Sequence, residues 1–195
     1  MVDRDVSALS KREQQRLQTR KAIFSAALEE IAEVGLSQLR IDTVAKKAGV
    51  TRPTIYANFA TKEDFLRELE WQIQRRALTL MRRHAGDATG IEFVYRMLDA
   101  VFELLEQTPE RLRREVFGFM LRHPAKTGWD DNEVCVFLCE NIAEAQKSLE
   151  LTAECSAPQL LKRIMTAAFG FVVVEVQSVE IRKESCRQML KMLLR

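Results

Sequence analysis

Residues Ile41–Phe59 read IDTVAKKAGVTRPTIYANF, and the fold follows from how that stretch is read. Ile41, Val44 and Ala45 recur at helical spacing and make one apolar face, which turns Lys46 and Lys47 outward. Ala48-Gly49-Val50 interrupts the pattern. Gly49 suits the left-handed backbone of a tight helix–helix turn, and Val50 can fill the angle between the helices. Thr51 is a natural N-cap, and Pro53 falls in the first turn, where its missing N–H matters least. Ile55 and Phe59, four apart, face inward. Arg52, Thr54, Tyr56 and Asn58 are left for the rest of the surface. A small, steeply crossed pair, Arg40–Lys47 and Thr51–Asn58, with a basic and polar outer face fits a DNA major groove.

The flanks agree. Ser10-x-x-Glu13 is a capping-box pattern that opens a long helix, with Leu17, Ile23, Phe24, Ala27, Leu28 and Ile31 on its apolar side and Gly35 as its stop. Arg12, Arg16, Arg20 and Lys21 crowd its first half; they read as a solvated face from which one or two reach phosphate. Downstream, Thr61-x-x-Asp64 opens a helix to about Arg83. Lys62 in its first turn opposes the helix dipole, and a phosphate held between Lys62 and the free N–H groups would reverse that penalty.

Charge is distributed to match. The 195 residues carry a formal net charge of +2, of which residues 1–62 contribute +4 and residues 63–195 contribute −2. A modestly basic head on a near-neutral body suits a polyanion partner. Seven Gly, four Pro and long stretches of 3.6-residue period indicate an all-α chain. Cysteines 135, 139, 155 and 186 show no C-x-x-C spacing, which suggests reduced thiols and a cytoplasmic setting. The polar N-terminus lacks a signal-peptide core, and the apolar run Ile164–Val174 is shorter than the ~20 residues of a membrane span, so no membrane role is expected.

Catalytic signatures are missing: there is no Gly-rich phosphate loop, H-E-x-x-H, Gly-x-Ser-x-Gly or carboxylate pair. His84 and His123 fall at expected helix ends, where capping or exposure is their reading, and Cys135 and Cys139, i and i+4, read as packing. No enzyme activity, cofactor or metal is expected.

Thr19–Leu66 resembles the DNA-binding head of the TetR family of transcriptional regulators. The matching residues are Ala27, Gly35, Val44-Ala45, Ala48-Gly49-Val50-Thr51, Tyr56, Phe59 and Lys62-Glu63-x-x-Leu66. By position, the resemblance implies phosphate contacts from Tyr56 and Lys62. It places Thr51, Arg52 and Thr54 at the start of the recognition helix, against base edges or nearby phosphates. Asn58 stands where the family often has His or Tyr. Arg40 replaces a usual Thr; it can reach phosphate but cannot cap.

Beyond the head, the remaining two-thirds reads as five further helices, about nine in all. They begin at Thr89-x-x-Glu92, at Thr108-Pro109-Glu110, at about Asp130, at Ser156-x-x-Gln159, and after a break over Ser178–Arg182 for a last helix Lys183–Leu194. Ile164–Val174 is apolar nearly all round, so one face needs a partner. The resemblance implies a four-helix homodimer interface, for which Phe169, Gly170, Val173, Met189 and Leu190 are candidates. Phe93, Met97, Phe117, Met120, Trp129, Phe137 and Phe169 are candidates for a ligand pocket, although each reads first as plain core, and Arg96 and Arg122 are candidate anion contacts.

The expected architecture is a three-helix helix-turn-helix head, residues 1–60, and an effector-binding and dimerisation body, residues 61–195. The expected function is a homodimeric, cytoplasmic regulator of transcription that binds double-stranded operator DNA and acts as a repressor released by a small, mostly apolar effector. The alternative is a helical small-molecule or protein-binding module without DNA binding.

Overall fold

The computed structural model describes residues 10–123, 132–174 and 178–194. Among them the chain forms nine α-helices and no strand: α1 (Lys11–Val34), α2 (Ile41–Ala48), α3 (Arg52–Asn58), α4 (Glu63–Ala85), α5 (Gly90–Glu106), α6 (Glu110–Arg122), α7 (Glu133–Lys147), α8 (Ala157–Val174) and α9 (Val179–Leu193). The all-α reading and the helix number agree with it.

Local signals explain most of the boundaries. The Ser10 hydroxyl accepts from the Glu13 amide, and the Glu13 carboxylate accepts from the Ser10 amide at 3.0 Å, so two orphan donors at the start of α1 are satisfied reciprocally. Gly35 ends α1 at φ +83°, where a side chain would be strained. The last helix starts four residues earlier than expected, because Ser178 caps it: its hydroxyl accepts from the Ile181 amide, and Glu180 supplies the acidic first turn. Helix α7 is capped by Asn132, which accepts from the Val134 amide at 2.8 Å, and it ends at Lys147. Asp130, its expected start, lies outside the described residues.

Contacts group the helices into two compact units: Met1–Glu70 with Pro109–His123, and Trp71–Thr108 with Pro124–Arg195. The first contains α1–α3, the start of α4, and α6. It therefore extends past residue 60 and takes a helix from the middle of the chain. Its core joins Ile23, Ala27, Ile31, Val44, Ile55, Phe65 and Leu66, all fully buried. Phe59 packs between Phe24 and Phe65, at ring-centroid distances of 6.2 and 4.6 Å. Helix α6 adds Leu112, Val116 and Phe119 to the buried set. It is tied to the turn after α1 by Glu115, whose carboxylate accepts from the Leu36 amide at 2.9 Å.

The second unit packs α5, α7, α8, α9 and the later part of α4 around Phe93, Met97, Phe102, Ile142, Leu160 and Leu190. Charged links fasten the helices at the rim. Asp99 on α5 receives Arg187 of α9 through both carboxylate oxygens at 2.8 Å, with Lys183 at 2.9 Å. Glu103 on α5 takes Arg83 at 2.7 Å and His84 at 2.7 Å, both at the end of α4. His84 is thus hydrogen-bonded to the Glu103 carboxylate and is half-buried. No described helix is long and apolar enough to cross a membrane.

Candidate nucleic-acid interface

The interface is built on the turn between α2 and α3. Gly49 sits at φ +65°, ψ +34°, in the left-handed region. Its amide donates to the Lys46 carbonyl, and the Val50 amide donates to the Ala45 carbonyl at 3.0 Å. This double closure is a Schellman motif, which stops α2 and sends the chain back across it. Thr51 occupies the N-cap position of α3 in extended backbone, but its hydroxyl pairs with the Thr54 hydroxyl at 2.9 Å and not with a backbone amide. Arg40 occupies the N-cap position of α2 and makes no side-chain cap, as its chemistry requires.

Helix α3 buries Ile55 and leaves Thr51, Arg52 and Tyr56 exposed, with Thr54 and Asn58 half-buried. Tyr56 is a large ring left 47% exposed. The Asn58 amide is turned back along the helix and donates to the Thr54 carbonyl at 2.8 Å. Arg52 reaches across the turn to Asp42 of α2, with Nη1 3.3 Å from the nearer carboxylate oxygen. Arg40 is exposed and Lys62 half-buried. All seven candidate DNA-contacting residues, Arg40, Thr51, Arg52, Thr54, Tyr56, Asn58 and Lys62, fall in the first compact unit.

Two basic residues serve the scaffold. Arg20 of α1 donates to the Asn58 carbonyl and to the Glu68 carboxylate, the latter at 2.8 Å, and its guanidinium lies 4.0 Å over the Phe59 ring. It closes the C-terminal end of α3 against α1 and α4, so it is spent on the fold. Lys47, expected on the outside, bends to the buried carboxylate of Glu30 at 3.0 Å and to Glu33 at 3.6 Å. The hydrogen bond to Glu30 holds its ammonium above the usual lysine range. Lys47 is exposed, as its spacing predicts, and its ammonium still reaches both carboxylates of α1. Arg12 and Arg16 remain exposed and border an open groove with Thr19, Thr54, Ala57 and Asn58.

At the start of α4, Asp64 accepts from the Thr61 amide at 2.9 Å. Partial burial pushes the Asp64 carboxyl up, but the hydrogen bonds from Thr61 and the charge of Arg67 outweigh it, and the group lies below its usual range.

A second site lies inside the other unit. An apolar cavity of about 30 Å³ is lined by Met81 of α4, by Phe93, Met97 and Val101 of α5, by Leu138 and Ile142 of α7, and by residues of α8 and α9 including Ala168 and Leu190. Of the candidate pocket residues, Phe93 and Met97 line it. Phe137 packs against Phe93 with ring centroids 5.9 Å apart, and Phe169 is half-buried outside the lining. Phe117 and Met120 belong to α6 in the first unit, so they line no part of this cavity, and Trp129 lies outside the described residues. Arg96 is held on Glu92 at 3.1 Å and on the Ala85 carbonyl at 3.2 Å; Arg122 is exposed at the end of α6.

On the surface of α8 and α9, Gly170 is exposed, Phe169 and Met189 are half-buried, and the Val173 side chain lies outside the described set. Leu190 is fully buried in its own unit, which removes it from any outer surface, while Ile181 and Met192 are exposed on α9. No cluster of metal-binding side chains occurs among the described residues.

Comparison with known proteins gives the geometry its context. Residues 23–69 match the model described as "Bacterial regulatory proteins, tetR family". The HTH-type transcriptional regulator UidR of Escherichia coli K12 is 22% identical over 172 residues, which cover 86% of each chain. Among solved structures, Salmonella enterica GusR superposes with a TM-score of 0.68 at 21% identity, covering 91% of this chain and 96% of that one. The multidrug binding protein EbrR, solved with malachite green, superposes with a TM-score of 0.61 at 19% identity, covering 90% and 98%. Over residues 23–69 the chain thus matches the tetR family of bacterial regulatory proteins, and over most of its length it is similar to HTH-type transcriptional regulators.

Proposed function

We propose that the protein is a homodimeric, cytoplasmic repressor whose operator grip is released by a small apolar molecule. The observation that carries this reading is the outer face of α3: Arg52 and Tyr56 stand exposed on a helix held at a fixed angle by the Gly49 turn. Arg40, Tyr56 and Lys62 contact phosphates and set the register; Arg52, Thr51 and Thr54 meet base edges, with Asn58 beside them. Residues 1–60 serve as the DNA-binding part and 61–195 as the effector-binding and dimerisation part. Two copies place their recognition helices about 34–36 Å apart, one helical turn of DNA.

The effector reading draws on the cavity beside α5, whose lining is apolar throughout. At about 30 Å³ it has the volume of one water molecule, so an organic effector enters only if the surrounding helices separate. Met81 connects that wall to α4, the helix whose first turn carries Lys62's neighbours Glu63 and Asp64. A ligand that binds better when α4 is displaced shifts the population toward an arrangement that no longer fits the operator. EbrR, solved with malachite green, and a regulator from Saccharomonospora viridis, solved with choline, share this fold and each hold a small organic molecule.

The test is selection of genomic fragments by the purified protein, followed by gel-shift titration with the genes beside each fragment as a guide to effectors. Enrichment of one pseudo-palindromic site, with release by a small molecule, supports the reading. Binding of all fragments alike, or of none, overturns it.

A further inference from the structure

We infer that Asp42 is a positioning residue for base readout, holding one nitrogen of Arg52 so that the opposite edge of its guanidinium faces a guanine. The inference rests on the function proposed above and names a specificity device within the same site. Asp42 and Arg52 are ten residues apart and meet only because the Gly49 turn folds α3 back on α2. Arg52 Nη1 lies 3.3 Å from one carboxylate oxygen of Asp42 and 3.4 Å from the other. Among the described residues no other hydrogen-bond partner of Arg52 is found, so Nε and Nη2 are uncommitted.

Those two nitrogens carry parallel N–H groups on one edge of a planar fork, the pattern that pairs with the O6 and N7 acceptors of guanine. A guanidinium free to rotate would serve equally well as a phosphate contact, which carries no sequence information. Held at Nη1, it offers only one edge. The carboxylate has a second consequence. A negative charge on the face that meets DNA repels every phosphate alike and weakens binding to all sequences. Asp42 is exposed, as is Arg52, so the pair contributes little to the fold, and a carboxylate at that place is explained by what it does to Arg52.

The experiment is selection from a randomised duplex pool at one salt concentration with the wild-type protein and the Asp42→Asn, Asp42→Glu and Arg52→Ala variants. Thermal unfolding is run alongside to show that all four fold. The wild type should enrich a motif with a guanine at one position in each half-site. Asp42→Asn should lose that preference by about tenfold while binding random duplex more tightly. Arg52→Ala should lose preference at the same position, with no further loss there when Asp42→Asn is added. Asp42→Glu, which can still reach one nitrogen, should keep part of it. If Asp42→Asn keeps the wild-type preference at every position, the positioning role is overturned while the regulator reading stands. If the wild type enriches no motif, both fail.

Discussion

At the scale of single residues, the site depends on a few backbone and side-chain choices whose effects are separable. A Cβ added at Gly49 would meet nothing within 4 Å, so its substitution tests the left-handed backbone alone. Gly49→Ala should destabilise the protein by about 1–2 kcal/mol in urea titration, and Gly49→Asn by less. Arg52→Ala should weaken binding to the selected operator by about 1–3 kcal/mol and relax preference at one base position, measured by competition with single-base variants. Equal losses on operator and random DNA would remove Arg52 from base readout. Lys62→Ala should weaken binding to all duplexes and lower the salt slope by about 1; an unchanged slope would remove Lys62 from the phosphate set.

At the scale of elements, what could be read in the sequence was what is written locally. The Ser10–Glu13 capping box, the Gly35 stop and the Gly49 turn each lie within one helical turn of the residues they govern, so a window of a few residues contains both partners. The readings that changed involve partners far apart. Arg20 reaches Glu68 across 48 residues, while Lys47 stays exposed as expected and its ammonium still meets the buried Glu30 of another helix. Leu190 fits an interface and a core equally by pattern, and only the packing shows it at 0% exposure.

The link between α4 and α5 gives a test at this scale. Hydrogen bonds from Arg83 and His84 hold the Glu103 carboxyl down to about 2, well below its ordinary 4.5. Its ionised form therefore stabilises the fold fully above about pH 4.5, and that contribution is lost as the pH falls toward 2. Melting temperature should decline through that window, and Glu103→Gln should flatten the decline. A variant with the wild-type slope would assign the acid sensitivity to other carboxylates.

For the whole molecule, one exposed glycine tests assembly. Gly170 on α8 is exposed, and a Cβ there would meet nothing within 4 Å of its own chain. Gly170→Leu should therefore not destabilise the single chain, since leucine favours the helix more than glycine, while sedimentation shifts toward the monomer. A fully dimeric variant would place the interface elsewhere.

The hydrogen bond from the Leu36 amide to Glu115 also bears on how the protein is made. Its partners are 79 residues apart, and the head's last buried helix, α6, is encoded after α5. During synthesis, residues 10–70 emerge with their turn amide still lacking its acceptor and with Leu112, Val116 and Phe119 not yet delivered. The part that meets DNA is thus completed only once residue 123 has left the ribosome, a delay of several seconds at about 5–20 residues per second. Release of the head as a continuous fragment ending at residue 70 would leave it without that helix.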